Sequence, residues 1–195
     1  MTSIKKQSTS ILFLILCIVV SSMGNAQETE TFRKGFMFEI GLGGGVISVE
    51  DSKGVQTFDK SQGAISFPEL KLGYFLNENL ALTVSMPGMI YEFNNNDRHF
   101  GGILPSIQYW VKDRWWIHGG IGLAIDSPTL YDIKDQNDKW NYGCAVMAST
   151  GYEVYKKKNF AVNIQSKIVL GRVFLNNNIN RDFATFNIGL GFNCL

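Results

Sequence analysis

Hydrolytic chemistry could be assembled from only a few side chains of this sequence. A hydroxyl nucleophile needs a base within hydrogen-bond reach and a third group to orient that base. There are two histidines. His99 stands beside Asp97 and Arg98 in a polar stretch read as a loop, with no serine nearby. Ser127 falls in a later loop and reaches His99 only through folding. His118 sits among glycines close to a short turn, at the opposite end. This scatter argues against an enzyme. No spacing of Cys, His, Asp and Glu reads as a metal, nucleotide or phosphate site, so neither metal nor cofactor is expected.

A second set of polar residues recurs at alternate positions: Glu39, Glu69, Lys71, Gln108, His118, Glu153, Asn163, Gln165, Lys167 and Asn187. Acids and lysines enclosed together must pair, because a buried charge without a partner is costly. They predict a hydrogen-bonded plug. The alternative is a narrow polar path for ions or a small solute, with Gly120, Gly122, Gly189 and Gly191 leaving space.

Eight segments position these residues. They begin near Gly35, Gly63, Leu80, Phe100, Arg114, Lys139, Phe160 and Phe183, and each alternates apolar with polar or small residues. That period of two is the strand signature. In the seventh, Phe160, Val162, Ile164, Ile168 and Leu170 oppose Ala161, Asn163, Gln165 and Lys167. Short connections at 76–79, 112–113 and 156–159 alternate with longer polar ones at 51–62, 94–99, 126–138 and 175–182. The expected fold is all-β: an eight-stranded antiparallel up-and-down transmembrane β-barrel.

Lys5 and Lys6 precede an apolar run, Ile11 to Val20, followed by small residues ending at Ala26. This reads as a cleaved secretory signal over residues 1–26, with the barrel domain over 27–195. The run is about ten residues, and a spanning helix needs roughly 20. Cleavage would leave 16 basic against 17 acidic side chains. So balanced a chain gives no reason to propose nucleic acid as a partner. Charged residues make up 18%, against about 25% in soluble domains.

A soluble barrel would show the same alternation with its apolar face inward. Aromatic residues argue for the membrane instead. Tyr74, Phe75, Tyr109, Trp110, Trp115, Tyr152, Tyr155 and Phe160 gather near the short turns. Tyr91, Phe93, Trp140, Tyr142, Phe174 and Phe183 gather near the long connections. Two such bands read as interfacial girdles. Cys144 and Cys194 would lie at opposite ends, too far apart to bridge. Pro68 and Pro87 interrupt strands, and the apolar parity switches around Pro68, which predicts bulges. Pro105 is a third proline inside a strand.

This layout resembles the small eight-stranded outer-membrane barrels of the OmpA/OmpX type, in a version typical of Bacteroidota, over the whole of 27–195. The last strand adds to it. Asn187, Gly189, Phe192 and Cys194 resemble the polar-x-Gly-x-x-apolar-x-apolar signal of that family, although Leu195 stands where a terminal Phe is usual. The resemblance implies a location in the bacterial outer membrane with both termini periplasmic. It also implies membrane lipid as surroundings, and barrel-assembly machinery and periplasmic chaperones as partners during biogenesis. The expected role is a non-enzymatic barrel with surface-exposed loops. The alternatives are a narrow channel and a lipid A-modifying enzyme. Such a resemblance is specific for fold and names no ligand for the loops.

Overall fold

The computed structural model describes residues 33–51, 61–93, 96–129, 139–175 and 179–194. The signal segment 1–26 lies outside them. Nine strand segments form one sheet: β1 Gly35–Asp51, β2 Ser61–Asn77, β3 Leu80–Met86, β4 Gly88–Phe93, β5 Asn96–Trp110, β6 Trp115–Pro128, β7 Asn141–Lys157, β8 Phe160–Phe174 and β9 Asn180–Cys194. β3 and β4 are one stave broken at Pro87, so the ring has eight staves. β1 pairs with β2 on one side and β9 on the other, both antiparallel, and this closes the barrel.

The alternation in sequence becomes alternation in burial. Along β8 exposed and enclosed positions follow each other almost without break. The exposed set is apolar: Phe36 is 82% exposed and Ile121 70%, and Leu72, Ile107, Ile164 and Ile188 share the outer wall. The enclosed set holds the charges. A fold with water outside would have the opposite arrangement, so this wall is built for lipid.

Both expected irregularities occur. Between Gly41 and Gly43 the β1 register advances two residues while β2 advances three, from Glu69 to Ser66. The extra residue falls at Phe67–Pro68 and restores the apolar face outward. At Pro87 the ladder stops, and its carbonyl accepts from the Gly102 amide at 3.2 Å. The β5–β6 ladder omits Leu104 and Pro105, where the imide nitrogen has no proton to give. A further bulge at Val154, between Glu153 and Tyr155 of β7, carries no proline to announce it.

Three tight turns and both strand termini share one end, here the turn end. There Asn77 Oδ1 accepts from the Asn79 amide at 2.9 Å. The opposite, loop end differs from expectation. β5 starts at Asn96, not near 100, and Phe93 pairs directly with Asn96. Of the connection read as 94–99, residues 96–99 are therefore strand, and β1, β6 and β9 also run into stretches read as loops. Spanning needs about 9–11 residues, while β1, β2 and β7 have 17. The strands thus project past the apolar wall, where Asn, Asp and Arg are tolerated in a sheet.

Candidate functional site

The enclosed side chains form four layers along the bore. Nearest the turn end, the Arg33 guanidinium meets Glu153 Oε2 at 3.0 Å, lies 4.7 Å over the Trp110 ring and donates to the Asp113 carbonyl. Trp110 Nε1 donates to Glu153 Oε1 at 2.7 Å. Met37, Phe75, Ala81, Trp110 and Trp116 pack here as an apolar floor.

Above the floor lie two ion pairs. Lys71 Nζ donates to Glu39 Oε2 at 2.9 Å and to Gln108 Oε1 at 3.0 Å, and Asn163 reaches the same Glu39 oxygen. Lys167 Nζ donates to Glu69 Oε2 at 2.5 Å. Ser66 and Asn187 donate to Glu69 Oε1 at 2.6 and 2.7 Å. Each carboxylate accepts several hydrogen bonds, which is how a charge survives burial. Beside them His118 sits among hydroxyls: Thr83 and Ser85 face its Nε2 at 3.1 and 3.3 Å, and Ser149 faces its Nδ1 at 3.0 Å.

The third layer is apolar. Leu104, Ala124, Met147, Val169 and Val173 surround Phe100 and Phe183, which stack with centroids 4.0 Å apart and planes 6° from parallel. A cavity of about 10 Å³ opens beside Glu69 and Asn187, below Phe100. That is room for about one water molecule.

The fourth layer is polar again. Asp126 Oδ1 accepts from Tyr91 Oη and Arg98 Nε, both at 2.9 Å, and its Oδ2 accepts from Arg181 Nη1 at 3.0 Å. Arg181 also binds the Asp51 carboxylate and lies 4.0 Å over the Phe93 ring.

All ten residues expected to form the polar network are enclosed, and nine make its hydrogen bonds. Gln165 is the exception: it lies against Gly41 and Gly191, and its Oε1 has no partner. Arg33, Trp110 and the Asp126 layer escaped sequence reading. Asp126, Arg98 and Arg181 share parity with His118, Gln108 and Asn187; carrying the period of two past the assumed strand ends would have found them. Phe75, Trp110, Tyr91 and Phe183, read as girdle residues, are enclosed. Tyr74, Tyr109, Trp115, Tyr152, Trp140, Tyr142 and Phe174 do face outward at the two ends.

The glycines read as leaving space do something else. A Cβ at Gly122 would stand 2.3 Å from the Ile103 carbonyl oxygen, and one at Gly189 2.3 Å from that of Leu42. Gly120 meets the Pro105 carbonyl and Gly191 the Glu39 carboxyl group. The inner surface of a narrow barrel is concave, so inward Cβ positions crowd the next strand. Glycine there permits curvature and close strands.

No protein-family model matches this sequence, and no curated protein sequence matches it. Solved structures do. One is Ail, the attachment invasion locus protein of Yersinia pestis, determined in complex with the heparin analogue sucrose octasulfate: TM-score 0.51, 13% identity, 82% of this chain and 99% of that one. Another is neisserial surface protein A: TM-score 0.51, 16% identity, 80% of this chain and 96% of that one. The fold is that of the small outer-membrane β-barrels. In this barrel the last strand puts Asn187 inward on Glu69 and Cys194 outward, with Gly189 packed on Leu42. Phe192 is half-buried. Cys144 and Cys194 are free and exposed near opposite ends.

His99 and Ser127 are corrected: both belong to strands, and they face each other across β5 and β6. The imidazole nevertheless packs over Gly88 and Gly101, on the β4 side and away from Ser127. Among the described residues no group of three or more His, Cys, Asp or Glu is placed to hold a metal ion.

At the turn end Lys156 Nζ donates to Asp113 Oδ1 at 2.9 Å. That bond, with further attraction from Lys156, Arg33 and Arg114, outweighs partial burial and holds the Asp113 carboxyl below its ordinary range. A depressed carboxyl stabilises the fold above its unfolded pKa, about 3.9, and the contribution is lost as pH falls through the folded value. Asp113→Asn is expected to lower unfolding free energy at pH 7 by under about 1 kcal/mol, because the group is exposed and screened. Urea titration below about pH 2 should find no difference; one that persists there would be a packing effect.

Proposed function

We propose that the protein is a non-enzymatic barrel of the bacterial outer membrane whose bore is closed by its own side chains. Its tight turns and both termini lie in the periplasm. Its longer connections are presented outside as an interaction surface. The observation that carries this reading is the stacked Phe100–Phe183 layer under the Asp126–Arg98–Arg181 cluster. Two successive layers bring packed rings and paired charge into the bore, and an eight-stranded barrel has room for little else. Asn187, Gly189, Phe192 and Cys194 would present the last strand to barrel-assembly machinery after delivery by periplasmic chaperones.

In planar bilayers the purified barrel is expected to give no steady unitary conductance. Steady steps that change on Lys167→Glu would overturn the closed-bore reading. A second reading, a narrow path for ions or small solutes, draws on Gln108 Nε2, Asn163 Oδ1, Gln165 Oε1 and both amide atoms of Asn193, all enclosed without partners in the turn-end half. That half could hold water. On this reading Phe100→Ala/Phe183→Ala would raise a conductance already resolved in the parent; on the closed-bore reading the parent stays silent.

A further inference from the structure

The outer wall carries a groove of about 650 Å³ close to the turn end. Phe36, Phe38, Leu72, Tyr74, Leu82 and Cys194 line it, on β1, β2, β3 and β9. The volume is within the range of sites that hold a single small ligand, roughly 300–1,000 Å³. The wall around it is the apolar, lipid-facing one, so its natural occupant is a hydrocarbon chain.

The rim beside this groove is basic. Lys34 is exposed and precedes β1 by one residue, two before Phe36. Lys157 lies opposite Phe160, Phe160 opposite Cys194 and Cys194 opposite Phe38, so Lys157 shares a row with the groove wall. At a strand spacing of about 4.8 Å, Lys157 stands about 10 Å from Cys194, within reach of an extended side chain plus a headgroup. Lys158, also exposed, follows it in the turn. Among the described residues the exposed acids at this end are Glu78 and Asp113, and Asp113 is engaged by Lys156. Tyr74, in the groove wall, and Tyr155, two residues before Lys157, are exposed aromatic side chains of the kind that sit at headgroup level.

We propose that the turn end binds one anionic phospholipid, with an acyl chain in the groove and the headgroup phosphate among Lys34, Lys157 and Lys158. Chain and phosphate emerge from one molecule in the same order as groove and lysines emerge from the wall. Both halves of the site are needed: lysines alone attract any anion, and the groove alone any chain. The site depends only on the wall and its basic end. Assigning it to the periplasmic leaflet rests on the orientation proposed above.

The test is native mass spectrometry of the folded barrel released from detergent, with palmitoyl-oleoyl phosphatidylglycerol, the phosphatidylcholine of identical chains, or soluble glycerol phosphate. Orientation plays no part in this measurement, so its failure would leave the orientation and closed-bore readings untouched. One phosphatidylglycerol is expected to be retained with about tenfold preference over phosphatidylcholine, and glycerol phosphate not at all. Lys34→Glu/Lys157→Glu/Lys158→Glu should abolish the preference. Leu72→Trp, which fills the groove, should weaken retention of both lipids. If the charge-reversed variant lacks the heat-modifiable migration of a folded barrel, the matching glutamine variant replaces it. Equal retention of the two lipids by the parent, an unchanged preference in the lysine variants, or glycerol phosphate held as firmly as the lipid would each overturn the proposal.

Discussion

Lys167→Met is expected to lower the unfolding free energy of the barrel by about 3–5 kcal/mol. The substitution keeps the length of the side chain and removes the ammonium group 2.5 Å from Glu69 Oε2. Ser66 and Asn187 still donate to the carboxylate, but they supply no charge, and the group is enclosed below the Phe100 layer. Lost attraction is the smaller part of the effect; the larger part is an anion left without a counter-charge. Replacing both partners, as Glu69→Gln/Lys167→Met, should therefore recover most of the loss. A double-mutant cycle in urea, followed by tryptophan fluorescence in detergent, gives the coupling directly. A single variant as stable as the parent would mean that Glu69 is solvated or protonated in the bore.

Gly45→Ala is expected to be as damaging, for a reason unrelated to charge. Gly45 lies on β1 opposite Asn187, in the seam where first and last strands meet. Its added Cβ would fall 1.9 Å from the Phe186 carbonyl oxygen and 2.7 Å from the Asn187 Cα. Both are backbone atoms of the paired strand and cannot rotate aside. The seam must open or the residue must rotate out of the sheet, an effect of more than about 4 kcal/mol. The yield of heat-modifiable barrel should fall several-fold. Gly44→Ala provides the control: its Cβ would point outward and meet the Ala64 carbonyl oxygen at an ordinary 3.7 Å. Equal yields from the two variants would show that the seam is looser than this geometry.

Periodicity made the fold legible. Eight staves, antiparallel order, the outward face and the bulge at Pro68 all follow from a period of two and its single slip. Strand ends were less legible, because Asn and Asp mark turns in most proteins but here also decorate strands that outrun the membrane. His99 and Ser127 were displaced into loops for that reason. Glu39, Glu69, Lys71 and Lys167 could be assigned to the bore by parity, since parity fixes a face. Who pairs with whom could not, because that depends on the stagger between strands. Trp110 and Phe183 were misassigned because an aromatic residue near a strand end suits either a girdle or a plug. Only its parity separates the two, and Trp110 shares that of Gln108.

Four of the partnerships in the bore join residues far apart along the chain. Arg33 and Glu153 are separated by 120 residues, Glu39 and Asn163 by 124, Glu69 and Lys167 by 98, and Asp51 and Arg181 by 130. No single hairpin carries such a pair complete. An open sheet of the first few staves would hold Glu69 without Lys167, and the last few would hold Lys167 without Glu69. A half-built sheet would therefore present unneutralised charge on its concave face, and hydrocarbon penalises that heavily. Lys71 meets Glu39 within the first hairpin and Arg98 meets Asp126 across the adjacent β5 and β6, but Glu69 and Lys167 are neutralised only as the ring closes, so this barrel should cross into the bilayer as a nearly complete ring, in one concerted step rather than hairpin by hairpin.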